Sequence, residues 1–172
     1  PTGVADGEEI NSFDVVIRFN YRGLDSMPDA REYGTKTNIS LYNAHTIRYL
    51  IAQNKLGVLS ELDFCLIRRP RYDLDSLGWD KNKIRLIYES DNIFYKSLNG
   101  VPAVLFDVLL QGAGKVKLFK SNFYLASQQH SEKYRGRDEA NFAGFPLRKI
   151  QPVVANHDLI SQISFTRNLW KA

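Results

Sequence analysis

The segment Asp14-Val-Val-Ile-Arg-Phe-Asn20 runs an apolar strand into a guanidinium and an amide, groups that bind phosphate oxygens and ribose hydroxyls. Three further segments carry polar groups at the ends of apolar stretches: Ser97-Leu-Asn-Gly100, Ser121-Asn-Phe-Tyr124 and Asn156-His157. His157 titrates near neutrality, so its neutral imidazole can accept a proton from an attacking hydroxyl. Asp158 either orients that ring or favours the positive end of a helix, and a capping or surface histidine is the plainer alternative. Asn99 and Gly100 open a helix that tolerates Pro102 in its first turn. The first-turn amides can then hold a phosphate, unless Asn99 serves only as a cap. Tyr124 offers a phenol to a phosphate oxygen, and Arg18 either neutralises charge or pairs with an acidic helix end. His130, Lys133 and Tyr134 lie in a polar stretch that can close over a ligand.

Other chemistries find less support. Asp73-Leu-Asp75 and Asp138-Glu139 lack the ligand spacing of a calcium loop, and three dispersed histidines make no zinc motif, so no metal ligands are assigned. There is no Walker-type lysine loop and no Gly-x-Gly-x-x-Gly. Arg68-Arg-Pro-Arg71 with Tyr72 reads as a solvated loop, with RNA binding by charge and stacking as the rival. The single cysteine, Cys65, sits in the apolar run Leu62-Asp-Phe-Cys-Leu-Ile67 and reads as a buried thiol. No internal disulfide can form, which favours a reducing cytoplasm.

These groups need a scaffold. With 172 residues, 44% hydrophobic, the chain has enough apolar material for one domain over 1–172. Strands are expected at Asp14–Phe19, Asp63–Ile67, Lys83–Tyr88, Lys115–Phe119 and Val153–Ala155. Helices are expected at His45–Asn54, Val101–Gln111 and Asp158–Trp170, with a stop at Gly112-Ala-Gly114. Alternation of this kind predicts an α/β fold with a Rossmann-like open, mostly parallel sheet flanked by helices. Pro1-Thr-Gly3 reads as a loop that follows a strand, so the expectation is a fragment whose sheet lacks its first strand.

In chain order, Asn11-Ser-Phe-Asp-Val-Val-Ile-Arg-Phe-Asn20, Asn99-Gly100, Val116-Lys-Leu-Phe-Lys-Ser-Asn-Phe-Tyr124 and Asn156-His157 resemble the sialyltransferase superfamily. The first segment looks like the family's large motif, whose asparagine contacts the cytidine nucleotide. The stretch from Asn99 to Tyr124 is similar to the small motif, and His157 falls where the very small motif carries its catalytic histidine. Pro1-Thr-Gly3 looks like the tail of the family's Gly-x-Gly-Pro-Ser/Thr loop, which puts Thr2 and Gly3 at the substrate. His130 stands where the family has a second tyrosine, and Tyr33-Gly-Thr-Lys-Thr37 is a fainter match.

The resemblance implies an inverting transferase that moves an acidic sugar from a CMP-activated donor to a glycan acceptor, with no cofactor. Animal members bridge their large and small motifs by a disulfide. One cysteine, and Asn99-Gly100 in place of Ser-Gly or Thr-Gly, imply instead a bacterial enzyme using CMP-sialic acid or CMP-Kdo. The rivals are a CMP-sugar hydrolase and an inactive nucleotide- or RNA-binding module. The formal net charge of +4 suits an anionic ligand or lipid, so the expected location is the cytoplasm, with peripheral association at the inner face of the membrane. No single amphipathic anchor stands out.

Overall fold

The computed structural model describes residues 4–27, 29–67, 79–87, 99–120 and 159–169. The chain divides into two compact units, Pro1–Tyr88 and Glu89–Ala172.

The first unit is built on four strands: β1 (Ile17–Phe19), β2 (Ile39–Tyr42), β3 (Phe64–Ile67) and β4 (Ile84–Leu86). They form one all-parallel sheet in the order β1-β2-β3-β4. Register pairs Ile17 with Ile39, Ile39 with Phe64, and Cys65 with Ile84. The burial pattern follows from position. Inner strands of a parallel sheet are covered on both faces and therefore read as continuous apolar runs. Accordingly Ser40, Leu41 and Tyr42 of β2 and Cys65, Leu66 and Ile67 of β3 are all buried, while β1 and β4 at the edges are half-buried throughout.

Parallel neighbours require crossovers: α2 (Ala30–Tyr33) lies in the one between β1 and β2 and α3 (Ala44–Ala52) in the one between β2 and β3, while α1 (Gly7–Asn11) precedes the sheet. Ile47 and Leu50 of α3 pack with Tyr21, Tyr42, Leu59, Leu62, Cys65 and Ile67 in one apolar cluster. Burial pushes the Cys65 thiol up to about 11, against a smaller opposing pull from the Lys83 ammonium. This is an open α/β sheet of the Rossmann-like kind.

In the second unit α4 (Gly100–Leu110) and α5 (Leu159–Leu169) pack together, with Phe106 and Phe165 ring centres 5.9 Å apart. Pro102, Ala103, Val104, Leu105 and Asp107 are buried, so the middle of α4 is covered on more than one face.

Several elements depart from the sequence expectation. β2 falls in a stretch to which the sequence assigns no element, because four residues with a serine in second place give no usable periodicity. The first strand begins at Ile17 rather than Asp14, and Val15 is 52% exposed. Lys115–Phe119, expected as a strand, is irregular. Alternating residues suffice for a strand pattern but not for a strand, which exists only when a neighbour pairs with it. The expected strand Val153–Ala155, the loop 68–73 and the polar stretch 127–141 lie outside the described residues.

Candidate functional site

At the carboxyl end of β1 the chain leaves the sheet through Asn20, whose φ of 57° lies in the left-handed region that asparagine tolerates better than most residues. Four hydrogen bonds fix the exit. Asn20 N–H donates to Leu41 O at 2.8 Å, and Tyr21 N–H donates to Ser40 Oγ at 3.1 Å. Tyr42 OH donates to Tyr21 O at 2.8 Å, and Asn43 N–H donates to Asn20 Oδ1 at 3.1 Å. Ser40 and Tyr42 are two apart on β2 and so share a face, which lets one strand grip Tyr21 by both backbone groups.

Asn43 is also the N-cap of α3: its Oδ1 accepts from Thr46 N–H at 2.7 Å. Asn20 and Asn43 thus form a relay at the carboxyl edge of the sheet, beside the positive end of a helix. Open parallel sheets take ligands at this edge. His45, in the first turn of α3, is exposed. Thr46 is fully buried, and its hydroxyl has no hydrogen-bond partner.

Arg18 is occupied as a strut. Its Nε donates to Lys36 O at 3.1 Å and Thr37 Oγ1 at 2.9 Å, and Nη2 donates to Tyr33 O at 2.8 Å. These bonds tie β1 to the loop Tyr33-Gly-Thr-Lys-Thr37. Asn11 Oδ1 grips the same loop by accepting from Thr35 and Lys36 N–H, each at 2.9 Å. Gly34 has φ of 66°, and a Cβ there would come within 2.5 Å of Asn11 Oδ1, so the loop requires glycine on both counts.

Two groups near this edge escaped the sequence reading. Arg22 is only 5% exposed, and its guanidinium lies 4.4 Å from the Tyr49 ring centre, a cation–π contact. Tyr21 OH donates to Glu61 Oε2 at 3.0 Å. Burial first, and then that carboxylate, raise the Tyr21 phenol to about 12. Nothing local marks either residue, since both partners come from other elements.

The second unit holds Asn99 and Gly100 at the start of α4. Asn99 is the N-cap by position, yet its side chain makes no capping bond. Its N–H instead donates to Gln162 Oε1 at 2.6 Å, and Gln162 is 1% exposed on α5. Thr166 Oγ1 closes the arrangement by donating to Gln162 O at 2.8 Å. Asn99 therefore departs from the simple capping alternative.

Of the residues singled out in the sequence, Arg18 and Asn20 belong to the first unit and Asn99 and Gly100 to the second. Thr2, Gly3, Tyr124, His130, His157 and Asp158 lie outside the described residues. Among the described residues no three His, Cys, Asp or Glu side chains group as a metal site, and no helix is long and apolar enough to cross a membrane. Comparison with protein-family models, with curated proteins and with solved structures found no match to this chain.

Proposed function

We propose that this chain is an inverting glycosyltransferase that moves an acidic sugar, sialic acid or Kdo, from its CMP-activated donor to a glycan acceptor. The observation that carries the reading is the Asn20 corner. An asparagine that the sequence resemblance assigns to the cytidine nucleotide stands at the carboxyl end of a parallel strand, hydrogen-bonded to the N-cap of α3, the helix that follows the neighbouring strand. That is the edge where nucleotides bind in open α/β sheets.

In this scheme the acceptor hydroxyl oxygen attacks the anomeric carbon while the bond from that carbon to the phosphate oxygen breaks, and CMP leaves with the electron pair. His157 takes the hydroxyl proton, with Asp158 orienting the ring. The Gly100 backbone N–H and the Asn99 side-chain amide, together with Tyr124, stabilise the charge that gathers on the departing phosphate, since the Asn99 N–H already donates to Gln162. Thr2, Gly3 and His130 complete the donor contacts. Arg18 enters as a positioning residue, since its donors already hold the 33–37 loop. A single displacement inverts the anomeric configuration, and no cofactor enters. The reading assigns the reaction to the cytoplasm, at the inner face of the membrane.

The test compares binding of CMP, UMP, GMP and ADP, followed by transfer assays with CMP-sialic acid and CMP-Kdo. CMP is expected to bind preferentially, Asn20→Ala to weaken it, and His157→Ala to abolish transfer while sparing CMP binding. Equal binding of all four nucleotides removes the basis for these donors. Free sugar released without acceptor identifies a hydrolase, CMP binding without turnover an inactive module, and salt-sensitive RNA binding indifferent to CMP an RNA-binding module.

A further inference from the structure

β2 reads Ile39-Ser-Leu-Tyr42 and lies inside the sheet beside β1. Inner strands of a parallel sheet favour continuous apolar side chains. Yet Ser40 and Tyr42 both carry hydroxyls, and both residues are 0% exposed. A buried hydroxyl costs free energy unless it is hydrogen-bonded. Here both oxygens are bonded to the backbone of one residue just past β1: Tyr21 N–H donates to Ser40 Oγ at 3.1 Å, and Tyr42 OH donates to Tyr21 O at 2.8 Å. Alanine and phenylalanine would fill the same two positions with no oxygen to satisfy. The two hydroxyls therefore serve the placement of Tyr21 rather than the filling of the core.

That placement fixes a corner which the backbone alone does not favour. Asn20, immediately before Tyr21, has φ of 57°, and a residue other than glycine stays there when its surroundings over-determine it. Asn20 N–H is held on Leu41 O at 2.8 Å, so the peptide entering the corner is tied to β2. The Ser40 and Tyr42 bonds tie the peptides leaving it. With both sides held, the direction of the Asn20 side chain is set, and its Oδ1 meets Asn43 N–H at 3.1 Å. Release of Tyr21 would let Asn20 relax toward negative φ and swing its side chain away from the start of α3.

We propose that Ser40 and Tyr42 are positioning residues for the nucleotide: two buried hydroxyls of β2 that hold Asn20 in its binding orientation without touching the ligand themselves. The inference rests on the transferase reading, in which Asn20 contacts the cytidine nucleotide. Its test measures CMP affinity of the full chain by calorimetry for the wild type, Ser40→Ala, Tyr42→Phe and the double variant. Ile87→Val serves as a control, a trimmed core residue that follows β4 at the other edge of the sheet. A corner that is competent only part of the time binds in proportion to that fraction, so each oxygen deletion is expected to weaken CMP by about three- to tenfold. The double variant is expected to fall short of the product of the two losses, because either deletion already loosens Tyr21. Ile87→Val is expected to lower the denaturant midpoint and leave CMP affinity unchanged. Circular dichroism checks that each variant is folded, and should Ser40→Ala misfold, Tyr42→Phe decides alone. A wild type that binds CMP, with oxygen deletions that bind it equally well, overturns this proposal and spares the transferase reading. A similar loss of affinity in Ile87→Val assigns the effect to general stability and overturns it too. A wild type that does not prefer CMP to UMP, GMP and ADP overturns the transferase reading, and the role of Ser40 and Tyr42 with it.

Discussion

The helix starts at Asn43 and Asn99 both open on an asparagine and differ in what its side chain does. Asn43 caps its own helix, with Oδ1 on Thr46 N–H three residues along, and its N–H is held by Asn20. Asn99 caps nothing with its side chain, and its N–H is held by Gln162, 63 residues away on α5. Both N-cap N–H groups are thus held by an amide side chain from elsewhere in the chain, and only the first start adds a cap from its own asparagine. An asparagine used as a cap contributes stability, whereas one spared that duty keeps its amide for something else. Under the proposed function, that amide is the group Asn99 offers to the donor.

The sharpest way to break the contrast is at Gln162. Gln162→Leu keeps the volume but deprives Asn99 N–H of its acceptor, and is expected to cost about 2 kcal/mol in denaturant unfolding. An unchanged midpoint would mean that α5 does not hold the start of α4.

A smaller but more discriminating effect comes from paired alanine substitutions. Asn43→Ala removes a working cap and is expected to cost about 1 kcal/mol. Asn99→Ala removes no capping bond and is expected to cost no more than about 0.5 kcal/mol, while CMP affinity, under the proposed function, falls. Equal stability losses at the two sites would erase the distinction.

The smallest effect sharpens the picture of the Asn20 corner through its neighbour Tyr21, whose folded phenol is raised from 10.0 to about 12. Between these values the unfolded chain loses the proton and the folded chain keeps it, so the unfolded state binds fewer protons and stability falls as pH rises. Cys65, raised from 9.0 to about 11, acts in the same direction slightly earlier. Thermal unfolding followed from pH 9 to 12 is expected to show this decline. Tyr21→Phe, which also loses the bond to Glu61, is expected to be about 1 kcal/mol less stable at neutral pH and to decline less steeply.

How far the residues announced this arrangement depends on the range of the forces involved. The helix Val101–Gln111 was expected within one residue of the observed Gly100–Leu110, and His45–Asn54 within two of Ala44–Ala52. Both rest on local signals, apolar spacing and, for the second unit's helix, the stop at Gly112-Ala-Gly114. The apolar run 62–67 likewise announced a strand and a buried Cys65. Of the site, Asn20 at a strand end was legible because a strand pattern stops there. The service of Arg18 was not, since a guanidinium beside a strand reads the same whether it meets a phosphate or the carbonyls of residues 33 and 36.

By itself, then, the sequence determined the α/β class, the main helices and the polar residues at element ends, because helix propensity, capping and apolar periodicity act over a few residues. The tertiary structure alone decided that residues 39–42 form an inner strand and that 115–119 do not form one. It alone decided that Arg18 braces a loop, that Arg22 is buried against Tyr49, and that Gln162 accepts from the Asn99 N–H. Each of these depends on a partner from 15 to 63 residues away, and a hydrogen bond or strand pairing over that distance exists only once the fold has brought its two halves together.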